Sequence, residues 1–159
     1  MSPPLLPPTD IALALLALLL IQASSRLGMW TYAVVALPGT LAHELAHYLV
    51  AALLLAKPSF PSLRPQRTLH GWRLGSVAFR AGRLRSVPIA LAPLLLAPLA
   101  WAWAVTFMAP AGWPLVAVHA WIVGALLSAC LPSRADLRIA FPALAVLIGL
   151  GLIAWWFLR

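Results

Sequence analysis

His43-Glu44-Leu45-Ala46-His47 sits inside the otherwise apolar run from Leu41 to Ala56. Residues four apart share one face of a helix, so both imidazoles can turn toward a single metal ion. Glu44, directly after the first histidine, can lie beside the open fourth position of such a site, where a water is held for catalysis. The chain carries three acidic side chains in all, Asp10, Glu44 and Asp136. An unpartnered ionisable group in a membrane helix costs several kcal/mol. One of the three placed between two histidines therefore predicts a metal site ahead of a structural polar cluster.

The surrounding composition decides the fold class. Of 159 residues, 64% are hydrophobic and 9% are charged. Apolar runs of about 20 residues, enough to span a bilayer as a helix, recur along the chain. The sequence predicts an all-α polytopic membrane protein, residues 1–159 forming one membrane-embedded domain. The net charge of +8 does not point to nucleic acid. Seven of the eleven basic residues fall between Lys57 and Arg85, in the one long polar connection, and cationic loops beside spans report orientation and contact with anionic headgroups. Membrane lipids, not nucleic acid, are the expected contact. Cys130 is the single cysteine, so no intrachain disulfide forms. Met1–Asp10 is proline-rich and has no Lys or Arg ahead of the first apolar run, so a cleaved signal peptide is not expected.

Five spans are expected: Ile11 to about Ser25, Thr31–Ala56, Pro88–Met108, Leu115–Leu131 and Ile139–Leu158. Pro38-Gly39 interrupts the second, and Thr40 is placed to cap a fresh helix bearing the motif. Between the second and third spans, residues 57–87 form a basic insertion. Within it Leu74–Arg80 alternates β-branched and aromatic residues before an Ala81-Gly82 turn, predicting a short strand or hairpin. Pro93 and Pro98 inside the third span mark bends or freed carbonyls. With the N-terminus cytoplasmic, the insertion and the Arg134–Arg138 break both face the cytoplasm. That places nine basic residues inside against Arg26 and Arg159 outside, as the positive-inside rule requires. Arg outnumbers Lys ten to one, a bias of GC-rich genomes, and the expected location is a prokaryotic inner (plasma) membrane.

A catalytic zinc takes three protein ligands and keeps one position open. A histidine six residues beyond His47 is absent, since Leu53 stands there, and Glu44 is the only glutamate. The third ligand must come from Asp136, His70, His119 or Asp10. Asp136 is favoured over its other reading, a helix-start carboxylate paired with Arg134 or Arg138. Its expected depth differs from that of the motif, which lies roughly 15–20 Å from the cytoplasmic end of its span at 1.5 Å per residue. The two depths meet if Leu131–Ser133 unwinds inside the protein or if the Asp136 helix dips inward. His119, in mid-span, reads first as a packed polar residue, and His70 as an exposed loop histidine.

Gly39-Thr40-Leu41-Ala42-His43-Glu44-Leu45-Ala46-His47-Tyr48 resembles the zinc-binding helix of the site-2 protease family of intramembrane metalloproteases. In that family a distant aspartate near the start of a later membrane helix, preceded by proline, completes the site, and Asp136 after Pro132 looks like that position. The strand-bearing segment Leu74–Arg80 and the Pro-containing span Ile89–Leu96 are also similar. The resemblance covers about Thr31 to Ile139, in a compact form without a PDZ domain.

It implies a zinc endopeptidase that hydrolyses peptide bonds of transmembrane or membrane-associated proteins. His43, His47 and Asp136 would be the Zn2+ ligands, Glu44 the catalytic base, and the Leu74–Arg80 edge would pair with an extended substrate. The competing expectation is a membrane metal-binding or adaptor protein that keeps the fold without cleaving.

Overall fold

The computed structural model describes residues 6–68 and 71–159. Helix α1 runs Pro8–Ser24, with proline in its first turn, where a missing N–H is harmless. A Ser-Arg-Leu turn follows, and Gly28, at φ 122°, takes a backbone conformation that side chains disfavour. Helices α2 (Met29–Val35) and α3 (Leu37–Leu53) are separated at Ala36. The break lies before Pro38, because proline is accommodated in a first turn. Thr40 is accordingly not the cap that its sequence position suggests: its hydroxyl donates to the Ala36 carbonyl within the helix, at 3.2 Å. At the far end, Ala56 N–H bonds to Ala51 C=O and Leu55 N–H to Ala52 C=O, a Schellman closure with Leu55 at φ 54°.

Residues 57–68 and 71–82 form a narrow antiparallel ribbon rising from that end. Arg80 N–H bonds to Ala56 C=O, Ser59 N–H to Ala78 C=O, and Ser62 and Ser76 exchange both backbone bonds. The regular strands are β1 (Gln66–Thr68) and β2 (Gly71–Arg73), paired Gln66 to Arg73 and Arg67 to Trp72. The expected strand at Leu74–Arg80 is thus displaced. That segment is one arm of the ribbon, paired at separated points, and the ladder lies nearer the tip.

Helix α4 (Arg83–Leu91) passes through a tight turn at Ala92–Leu95 into α5 (Leu96–Trp103), and a wide π turn at Ala104–Met108 extends it. Helices α6 (Leu115–Ala129) and α7 (Arg134–Phe157) complete the chain. The protein is helical apart from the hairpin, as expected, but the count of five spans is not met. Among the described residues three helical stretches are long and apolar enough to cross a membrane: Pro8–Leu27, Arg83–Met108 and Arg134–Phe157. The break at Ala36 and the closure at Leu54 cut the second expected span to the 17 residues of α3. Helix α6 has 15 residues, about 22 Å at 1.5 Å each, short of a hydrocarbon core of roughly 30 Å.

Small residues let these helices approach closely. A side chain at Gly39 of α3 would run into the Ala125 carbonyl of α6, and one at Gly124 of α6 would come within 2.8 Å of Leu18 N in α1. Ala14, Ala100, Ala104 and Ala120 are buried where α1, α5 and α6 meet. In lipid, where apolar association gains little, such close contact is what binds helices together. The result fixes α3 and α6 side by side, with the end of α6 level with the histidines.

Candidate metal centre

Helix α3 presents two working faces. His43 and His47 point toward α4, α6 and the start of α7, whereas Glu44 lies on the face shared with Thr40 and Tyr48, one turn to either side. The second face is covered by the insertion: Phe60 meets the Tyr48 ring at 6.0 Å, and Gly75 packs on the Glu44 side chain.

Each histidine is oriented by a backbone carbonyl that helix geometry leaves with spare capacity. His43 Nδ1–H donates to Ala129 C=O at 2.8 Å. Ala129 is the last residue of α6, where carbonyls have no partner in the next turn. His47 Nδ1–H donates to Ile89 C=O at 2.7 Å. The residue four beyond Ile89 is Pro93, which has no N–H to give. In the neutral rings these bonds place the proton on Nδ1, leaving each Nε2 as a lone pair aimed away from its carbonyl.

Asp136 completes the group. Ser133 caps α7 and Asp136 is its third residue, the two joined reciprocally: Asp136 N–H donates to Ser133 Oγ at 3.2 Å and Ser133 N–H to Asp136 Oδ2 at 2.7 Å. The same carboxylate faces the histidines, Oδ2 lying 3.5 Å from His43 Nε2 and Oδ1 3.4 Å from His47 Nε2. The two sequence readings of Asp136, helix-start carboxylate and metal ligand, therefore describe one side chain. Among the described residues the groups its carboxylate faces are the two histidines, and no ion pair joins it to Arg134 or Arg138. The depth mismatch is resolved by residues 130–133 leaving the helix after Ala129, so that α7 begins beside the motif.

His43 Nε2 and His47 Nε2 stand 3.2 Å apart. With both Nδ1–H groups committed to carbonyls, two nitrogen lone pairs and a carboxylate converge, all of them acceptors. A shared cation satisfies them together. Tetrahedral zinc ligands at 2.0–2.1 Å from the metal stand about 3.3 Å from one another, and the separations here are 3.2, 3.4 and 3.5 Å. Two imidazoles and one carboxylate are a donor set suited to zinc. His43, His47 and Asp136 are the group among the described residues that can hold a metal ion.

Glu44 is 7% exposed and next in sequence to His43. A Cβ at position 75 would fall 2.6 Å from its Cγ and 2.8 Å from its Cδ, so the absence of a side chain at Gly75 is what allows the ribbon to lie against the carboxylate. The remaining candidates lie elsewhere. His119 accepts from Trp103 Nε1–H at 3.3 Å and stacks near Phe107, a packed polar residue as first read. Asp10 is buried at the start of α1 beside Thr9, and His70 falls outside the described residues.

Sequence reasoning missed Ala129, Ile89, Ser133 and Gly75. For Ile89 there was a signal, since Pro93 frees a carbonyl four residues back. For Ser133 the spacing Ser-x-x-Asp was visible. Comparison with protein-family models, with curated proteins and with solved structures finds no match to this chain.

Proposed function

We propose that this protein is a zinc-dependent endopeptidase that hydrolyses peptide bonds of transmembrane or membrane-associated proteins from within a membrane, as its resemblance to the site-2 proteases implies. The observation that carries the reading is the acceptor-only group of His43, His47 and Asp136 at zinc-ligand spacing, with buried Glu44 adjacent on the same helix. Zinc, when bound, supplies Lewis acidity that acidifies water and polarises a carbonyl. His43 and His47 hold it as neutral imidazoles, the Ala129 and Ile89 carbonyls keeping each ring in register. Asp136 contributes the negative charge and is itself held by the α7 cap. Glu44 accepts the proton of the attacking water and passes it to the leaving amine. Hydrolysis is favoured over metal storage because storage has no use for a buried carboxylate beside the ligands.

The seven basic residues of the insertion face the cytoplasm and its anionic lipids in this reading, in a plasma membrane. The substrate must be locally unwound, since a peptide bond in an intact helix is shielded by its own hydrogen bonds.

The test is hydrolysis of membrane-protein substrates by zinc-loaded protein in proteoliposomes, wild type beside Glu44→Gln. We expect cleavage to fall by about 10²–10⁴-fold, the usual share of a general base, with zinc content unchanged. Equal rates in the two proteins, or no cleavage by zinc-loaded wild type, would replace the peptidase with a metal-binding adaptor.

A further inference from the structure

We propose that the cavity between α2, the first turn of α3 and the ribbon is the subsite that receives one large apolar side chain of the substrate, within two residues of the bond cleaved. The proposal rests on the peptidase reading and adds the side chain the enzyme selects. The cavity measures about 170 Å³, and its walls include Ala33 of α2, Leu37 and Thr40 of α3, and Leu63, Pro65 and Leu74 of the ribbon. Thr40 supplies a hydroxyl, which is turned back to the Ala36 carbonyl of its own helix. An apolar cavity of roughly 150 Å³ accepts benzene, so by volume this one has room for a Leu or Phe side chain, and it opens outward beside the exposed Trp30 and Val34. A charged or amide side chain seated against these apolar walls would lose part of its hydration with little to replace it.

Its position links it to the chemistry. Thr40 lies one turn before Glu44 on the same face of α3, about 6 Å along the axis at 1.5 Å per residue. On the opposite wall Leu74 is bonded to Gly75, which lies against Glu44. An extended chain advances about 3.3 Å per residue, so a side chain seated in the cavity belongs to a residue one or two positions from the peptide bond presented to Glu44. A larger cavity, about 250 Å³ between α1, α5 and α6, is lined by Asp10, Ala97 and Met108 among others. It shares no wall with α3 or the ribbon.

The experiment uses the full-length zinc-loaded protein and internally quenched peptides in which the residues flanking the cleaved bond are Ala, Leu or Phe. Wild type is expected to prefer Leu or Phe over Ala at one flanking position by about 10–200-fold, the range a hydrophobic pocket gives. Ala33→Trp and Leu63→Trp fill the cavity from opposite walls, and either should bring that ratio close to one or invert it. In a second measurement, a peptide carrying benzoylphenylalanine at the preferred position is crosslinked to the Glu44→Gln protein. Label at Leu37, Leu63 or Leu74 supports the proposal, whereas label at Ala97 or Met108 overturns it. An unchanged preference in both tryptophan variants also overturns it. If no peptide is cleaved by wild type, the peptidase reading fails by itself, and the crosslink still decides whether the cavity takes an apolar side chain.

Discussion

The two faces of α3 are held by different means. On the histidine face every contact comes from regular helices at their points of interruption: the end of α6, the proline-freed carbonyl of α4, and the cap of α7. On the Glu44 face the contacts come from a ribbon whose backbone pairs only intermittently. The first face is held firmly because each histidine is fixed twice, by its own helix and by the hydrogen bond it donates to another, and Asp136 is fixed by the cap of α7. On the second the ribbon comes close where Phe60 meets Tyr48 and where Gly75 lies against Glu44. Metal binding and proton transfer should therefore be separable by mutation, although their residues are neighbours in sequence.

The largest effect should come from the helical face. His47→Ala removes a ligand, and we expect zinc affinity to fall by well over the 10–100-fold typical of changes behind a ligand, with hydrolysis lost alongside. Equilibrium dialysis of detergent-purified protein measures it. An affinity within a few fold of wild type would mean that the convergence at Nε2 does not reflect metal binding.

The ribbon face gives the next effect, of another kind. Gly75→Ala pushes on the Glu44 side chain, whose flexible end can shift without unfolding the protein. A displacement near 1 Å at a catalytic group can cost on the order of 100-fold. We expect a loss of that order in turnover with zinc stoichiometry unchanged. Parallel loss of zinc would join the two faces that the structure separates.

The smallest effect should come from Ser133→Ala, which removes the hydroxyl that accepts from Asp136 N–H but keeps the Ser133 N–H bond to the carboxylate. Loss of an N-cap costs about 1 kcal/mol. A tenfold or smaller drop in zinc affinity is expected, read from competition with a chromophoric chelator. A larger drop would show that the cap hydroxyl, and not the backbone bond, positions Asp136.

The same contrast explains what could be read in the sequence. The motif His43-Glu44-x-x-His47 was legible because helical periodicity is local, and its face follows from spacing alone. Asp136 was legible as a candidate because acidic residues are so few, yet its depth was not. That depth depends on how the start of α7 packs against α3 after α6 ends at Ala129, which the apolar runs do not report. The span count failed at the same level of detail: Pro38-Gly39 marked an interruption between Thr31 and Ala56, but the break falls earlier, at Ala36, and α3 keeps 17 residues. The Ala129 carbonyl was hidden because every residue offers a carbonyl and only tertiary packing selects one, whereas Pro93 pointed to Ile89 without saying what would bond to it. Gly75 was read as part of a strand, its role as the point of contact with Glu44 being a property of the folded ribbon.

The most direct test of the central claim, that the α7 cap and the α3 motif form one zinc site, is zinc stoichiometry in detergent-purified wild type and Asp136→Asn. Asparagine keeps a side-chain oxygen for Ser133 N–H but removes the negative charge. We expect about one zinc per chain in wild type and little or none in the variant, with both proteins equally helical by circular dichroism. Full zinc in Asp136→Asn would reduce Asp136 to a helix cap, and no zinc in wild type after reconstitution would contradict the metal centre itself.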